Sequence, residues 1–167
     1  MRRMKRRLDR ETREETLMQA KTMKPAQHAR WEAAAWNPSY AVGNDAIDAD
    51  HERLFALFNE FVAAVNDNRA DSEIQGVLAE LLEYTDYHFD REERLMREFD
   101  YPDYADHKAM HDAFVAQVHD VNSALDAGGE KGAYVLSVLG KWLTGHILHV
   151  DAKVGTWLKE HNAAKAA

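Results

Sequence analysis

His88-Phe89-Asp90-Arg91-Glu92-Glu93 is the stretch on which the reading of this chain turns. It sets an imidazole and a carboxylate four residues apart inside a pattern of helical period. At roughly 100° per residue the two side chains fall on nearly the same face, one turn apart, where they can share a metal ion. A lone H-x-x-x-E pair is common by chance, and its ordinary meaning is two side chains on a solvated face. The weight therefore rests on whether the rest of the chain supplies partners.

The segments on either side extend the helical pattern. Ile74, Leu78, Leu81, Leu82, Tyr84, Leu95 and Met96 mark a helix from about Ser72 to Phe99, with Asp71 or Ser72 as its cap and Asp100-Tyr101-Pro102-Asp103 as its stop. Ahead of it, Leu54, Phe55, Leu57, Phe58, Phe61 and Val65 make the stripe of a helix from about Ile47 to Val65. Behind it, Phe114, Val118 and Val121 mark a helix from about Tyr104 to Leu125 that closes on Gly128-Gly129. The last helix spans about Glu130 to His161, with Val135, Leu139, Trp142, Ile147, Val150, Val154 and Trp157. Short connections force neighbouring helices antiparallel. The fold class expected is all-α: an antiparallel up-down-up-down four-helix bundle with an N-terminal non-helical arm over Trp31 to Gly43.

The 167 residues suit one domain. Residues 1–30 carry ten Lys/Arg against four Asp/Glu, whereas residues 31–167 carry eleven against twenty-five. That change of sign divides a basic N-terminal extension, expected to be disordered, from a bundle domain over 31–167. The extension could dock a protein partner, but a solvated tail is its plainer meaning. It contains no aromatic residue and mixes in Asp9, Glu11, Glu14 and Glu15, so no nucleic-acid partner is expected. No apolar run approaches the roughly 20 residues of a membrane span. The first seven residues look like the front of a signal peptide, yet no apolar segment follows them. With no cysteine, disulfides and thiolate metal sites are excluded, and a cytoplasmic location is expected.

Nine histidines are the first hint of metal. His107 and His111 repeat the four-residue spacing of His88 and Glu92. His51 opens the first helix, His88 and Glu92 lie late in the second, His107 and His111 open the third, and His146 lies past the middle of the fourth. In an up-down bundle these positions all share one half of the molecule. Imidazoles with carboxylates and no sulfur suit iron, manganese or zinc. The fourth helix leaves an ambiguity. Asp151 stands five residues after His146, about 140° around an ideal helix, and reaches the site only through a π-bulge. His149, three residues on, fits better by angle. Spacing alone leaves both open. His28, His119 and His161 have the bland reading of edge or surface histidines.

Taken together, these fragments resemble the bacterial hemerythrins from about Trp36 to His161. The matching pieces are Trp36, Val42-Gly43 and Ile47-Asp48-Ala49-Asp50-His51; the opening stretch with Met96; His107-x-x-x-His111 with Phe114; and Trp142-Leu143-Thr144-Gly145-His146 with Asp151. The resemblance implies a non-haem diiron centre, oxo- or hydroxo-bridged. Its pattern favours Asp151 as the ligand and leaves His149 a neighbour. One iron would take His107, His111 and His146, the other His51 and His88, with Glu92 and Asp151 bridging. One position, on the iron of His51 and His88, would stay open to dioxygen. Leu54, Phe89, Trp142, Leu143 and Ile147 flank the ligands and are candidates for a dry oxygen pocket, although ordinary core is the plainer meaning of each. Asp50 departs from the family, which usually has glutamine there, and little consequence is expected.

The function implied is reversible dioxygen binding, for storage, delivery or transport, by a protein that is not an enzyme. The lack of an attached signalling module favours storage or delivery over oxygen or redox sensing. A diiron enzyme acting on peroxide or nitric oxide is the competitor. Oxygen-activating bundle enzymes use Glu-x-x-His pairs and more carboxylates than the two assigned here. Iron storage or a purely structural metal site is a third possibility.

Overall fold

The computed structural model describes residues 30–124 and 129–165. The basic extension falls outside them, apart from Arg30. Four long helical stretches form the expected antiparallel bundle: α1 (Asp45–Asn66), α2 (Asp71–Glu98), α3 (Tyr104–Ala124), and a fourth made of α4 (Gly129–His146), a π-helical turn (Ile147–Asp151) and α5 (Ala152–Lys165).

Helix starts differ from the sequence expectation by two residues at most, for local reasons, while the last helix runs four residues past His161 to Lys165 and the expected end of the third at Leu125 lies outside the described residues. α1 begins at Asp45 because the Asn44 side chain accepts hydrogen bonds from the amides of Ala46 and Ile47, at 3.1 and 3.2 Å. α2 has Ala70 at its cap position and no side-chain cap, so neither Asp71 nor Ser72 plays that part. The chain reverses after α1 and α2 by one device. Asn68 and Asp100 adopt left-handed φ of 48° and 51°. The following amides, of Arg69 and Tyr101, then donate back to the Ala64 and Met96 carbonyls at 3.1 and 2.8 Å. This is the six-to-one closure of a Schellman motif, and it lets the next helix start within a few residues.

The N-terminal arm runs along α1, antiparallel to it. Asn66 and Asn59, two turns apart on one face of α1, each clamp an arm residue with two hydrogen bonds. The Trp31 and Ala34 amides donate to their side-chain oxygens (both 2.8 Å), and their side-chain amides donate to the Trp31 and Ala34 carbonyls (both 2.9 Å). Trp36 then packs edge-on against Phe55. After a 3₁₀ turn at Pro38–Tyr40, Asp48 accepts from the amides of Val42 and Gly43. At Gly155 the arm meets α5 so closely that an added Cβ would stand 2.2 Å from the Val42 carbonyl oxygen.

The core is divided in two. A large apolar cluster containing Leu54, Phe58, Phe61, Leu81, Phe89, Phe114, Leu139 and Leu143 fills one part of the bundle. A smaller one, with Val42, Ile47, Met96, Phe99, Tyr101, Val154 and Leu158, closes the end. On three of the four helices a buried candidate ligand falls between these clusters: His51 between Ile47 and Leu54, Glu92 between Phe89 and Met96, Asp151 between Ile147 and Val154. A polar layer sealed by apolar side chains above and below is the setting of the candidate site.

Candidate metal centre

His51, His88, Glu92, His107, His111, His146 and Asp151 all lie in this layer, none more than 5% exposed. Their donor atoms form two groups: Glu92, His107, His111, His146 and Asp151 in one, and His51, His88 and Asp151 in the other. His149 is exposed at the surface.

The π turn separates these two fates. The Ala152 amide donates to the carbonyl of Ile147, five residues back. The turn thus takes in one extra residue without extra rotation, so Asp151 behaves as though it were four residues from His146. Its Oδ1 stands 3.0 Å from His146 Nε2. The same step returns Val154 and Leu158, both buried, to the core face.

In the first group the Nε2 atoms of His107, His111 and His146 converge on one another at 3.0, 3.1 and 3.3 Å. Three ring nitrogens cannot satisfy each other by hydrogen bonding, because a neutral imidazole has one donor and one acceptor. Glu92 Oε2 stands 3.2 Å from His107 Nε2 and 3.5 Å from His111 Nε2, and Asp151 Oδ1 is 3.4 Å from His107 Nε2. Bonds of about 2.1 Å at right angles to one ion would set neighbouring donors about 3.0 Å apart. The spacing therefore matches a ligand shell better than a hydrogen-bond network. In the second group Asp151 Oδ2 faces His51 Nε2 at 3.3 Å. Asp151 thus turns one oxygen to each group.

Unsatisfied atoms point the same way. Both oxygens of Asp151, Oε1 of Glu92 and Nε2 of His51 are buried without a hydrogen-bond partner. Orphans of this kind cost about 1–3 kcal/mol each unless something binds them. Burial, reinforced by the Asp151 charge, holds the Glu92 carboxyl well above the usual carboxylate range. Burial also opposes ionisation of Asp151, but the His146 and His51 rings facing it hold its carboxyl well below that range. Burial lowers His107, and burial with the neighbouring His107 and His146 rings pushes His111 down to about 2. Imidazoles beside carboxylates in a dry layer form a donor set completed by cations. The residues fit metal ions.

Two carboxylates around these ligands were missed in the sequence. Glu93 Oε1 is 3.2 Å from His111 Nδ1, while its other oxygen meets Lys108 at 3.6 Å and Arg97 at 3.8 Å. Asp50, which promised little, is buried behind His88. Adjacency to Glu92 and His51 was the available signal. A carboxylate one residue from a ligand is well placed to reach the outer nitrogen of a histidine on a neighbouring helix.

The five candidate pocket residues separate. Leu54, Trp142 and Leu143 line an apolar cavity of about 20 Å³, together with Leu81, Thr85 and Phe114. It lies about one turn from His51 and His88, since Leu54 follows the first by three residues and Thr85 precedes the second by three. The Thr85 hydroxyl is turned away, donating to the Leu81 carbonyl at 2.8 Å. Phe89 instead stacks flat on His111, with ring centres 3.7 Å apart. Trp142 also stacks on His146 at 4.2 Å. Ile147 is buried in the adjoining core but does not line the cavity.

A bundle with this polar layer defines a histidine-rich metal-binding protein, and comparison with known proteins narrows the class. Residues 42–158 match the family described as the Hemerythrin HHE cation binding domain. A bacteriohemerythrin of Stenotrophomonas maltophilia is 32% identical over 127 residues, 75% of this chain and 82% of its own. A myohemerythrin of Riftia pachyptila is 30% identical over 118 residues, 71% of this chain and 88% of its own. A crystal structure of a hemerythrin point mutant superposes with a TM-score of 0.66 at 26% identity, covering 76% of this chain and 98% of that one. The chain belongs to the hemerythrin family. Among the described residues no helix is long and apolar enough to cross a membrane.

Proposed function

We propose that this protein holds two non-haem irons and binds dioxygen reversibly for storage or delivery. His107, His111 and His146 would hold one ion and His51 and His88 the other, with Glu92 and Asp151 shared between them. The observation that carries the reading is Asp151, whose two oxygens face the two histidine groups separately. A ferrous pair bound there would supply the electrons that let dioxygen bind and leave.

The chain's own residues then have three tasks. The five imidazoles present ring nitrogens to the metal, and burial opposes protonation of His107 and His111. Phe89 and Trp142, stacked on His111 and His146, fix the ring planes and shut out water on that side. The cavity lined by Leu54, Trp142 and Leu143 offers a dry recess near His51 and His88. Its 20 Å³ suffices for one small molecule, and its apolar wall gives water no partner. A site of five histidines and two carboxylates favours holding oxygen over cleaving it. The cysteine-free chain suits a reducing compartment, and on that ground we assign it to the cytoplasm.

The test is to load the protein with iron without air, admit oxygen, remove it, and follow the visible charge-transfer bands. Two irons per chain and repeated cycling are expected. One-way oxidation without oxygen release would refute the carrier role and favour sensing or catalysis.

A further inference from the structure

The sequence has aspartate where the resembled family usually has glutamine, and the structure gives Asp50 a definite place. Its side chain is 4% exposed. Oδ1 accepts hydrogen bonds from the Tyr84 hydroxyl at 2.9 Å and from Arg91 Nη1 at 3.1 Å. Arg91 is itself held by the Tyr87 hydroxyl and lies over the Tyr87 ring. Oδ2 has no hydrogen-bond partner and faces His88 Nδ1 at 3.7 Å. That nitrogen is also buried and unpartnered. Two complementary orphans therefore confront each other, and the carboxylate is anchored from behind by two donors.

We propose that Asp50 is a positioning residue for the second metal ion, acting through His88. A negative oxygen opposite Nδ1 favours the tautomer with its proton on that nitrogen. This leaves the Nε2 lone pair for a metal shared with His51 and Asp151. The fixed charge also strengthens His88 as a donor and offsets the charge of the ion beyond it. Glutamine there could hold the ring by a hydrogen bond, but it would add no charge. The inference rests on the two-ion reading and adds that the ions are held unequally: Asp50 supports only the one bound by His51 and His88.

The test is an anaerobic ferrous-binding titration against a competing chelator, paired with urea unfolding of the metal-free protein. In Asp50→Asn, one of two binding steps should weaken about 10–100-fold, the usual cost of losing such a partner, while the other holds. Arg91→Gln serves as the structural control. It removes the same ion pair but leaves the carboxylate facing His88, so both steps should stay near the parent values even if urea resistance falls. An unchanged second step in Asp50→Asn would overturn the inference. So would equal weakening of both steps matched by Arg91→Gln, which would make Asp50 merely structural. A parent protein showing a single binding step would instead overturn the two-ion reading, and this inference with it.

Discussion

The π turn at Ile147–Asp151 invites a pair of opposite perturbations. Deleting Leu148, 39% exposed, would shorten the five-residue hydrogen bond from the Ala152 amide to the Ile147 carbonyl to an ordinary four-residue one. His146 and Asp151 would then be four residues apart, about 40° around a regular helix and on one face. Val154 and Leu158 would keep their register. Stability should stay within about 1 kcal/mol of the parent, as for other changes at exposed positions, and both metals should bind. Inserting one alanine between Val150 and Asp151 does the reverse. It turns Asp151 by roughly 100°, and a carboxylate about 5 Å from the helix axis swings by about 8 Å. The contacts it would lose are 3.0 to 3.4 Å long. If the helix rotates instead to keep Asp151 inside, the residues before the insertion turn outward, and the buried Leu143 and Ile147 leave the core at about 1.5–3 kcal/mol each while His146 leaves its partners. Metal content per chain and urea denaturation of the metal-free protein read both outcomes. The insertion should lose metal, or about 3–6 kcal/mol of stability, or part of each. The reasoning fails if the deletion loses metal as Asp151→Ala does, or if the insertion keeps both metal and stability.

Three further outcomes follow from contacts outside the ligand set. Gly155→Ala drives a Cβ to 2.2 Å from the Val42 oxygen. Because backbone must move, a loss of about 1–3 kcal/mol is expected, seen as a melting point lower by about 2–4 °C per kcal/mol. Asn66→Ala removes both hydrogen bonds to Trp31 and should cost about 1–3 kcal/mol. Protease cleavage within residues 31–36 should quicken, and unchanged cleavage would mean that the clamp does not hold the arm. Tyr84 is raised from 10.0 to about 12 by burial, the hydrogen bond to Asp50 and the Asp50 charge. The unfolded phenol ionises near pH 10 while the folded one keeps its proton. Its stabilising effect is thus whole below pH 10 and is lost as pH rises through about 12. A phenolate absorbance titration should show a tyrosine titrating near pH 12 that titrates earlier in Asp50→Asn.

What the sequence determined by itself was whatever helix geometry dictates locally. The apolar stripes gave four helices, and short polar connections between them gave antiparallel order. The pairs His88/Glu92 and His107/His111 share a face because a four-residue step turns through little more than one full circle. The axial level of each ligand followed from its place along its helix. The missed or open points depend on a local departure from α-helix or on how one element packs against another. Asp151 and His149 could not be separated by spacing, since the choice rests on a five-residue hydrogen bond that no angular rule for α-helix contains. Asn59 and Asn66 read as polar helix positions until the arm laid its backbone against them. Phe89, expected near the oxygen site, stacks on His111 because α2 and α3 pack in that rotation. Asp50 looked like a tolerated substitution because Tyr84, Arg91 and His88, the residues that give it meaning, lie on another helix. Periodicity states which face of a helix is buried. Only the packed tertiary structure decides which atoms of a neighbouring helix that face meets.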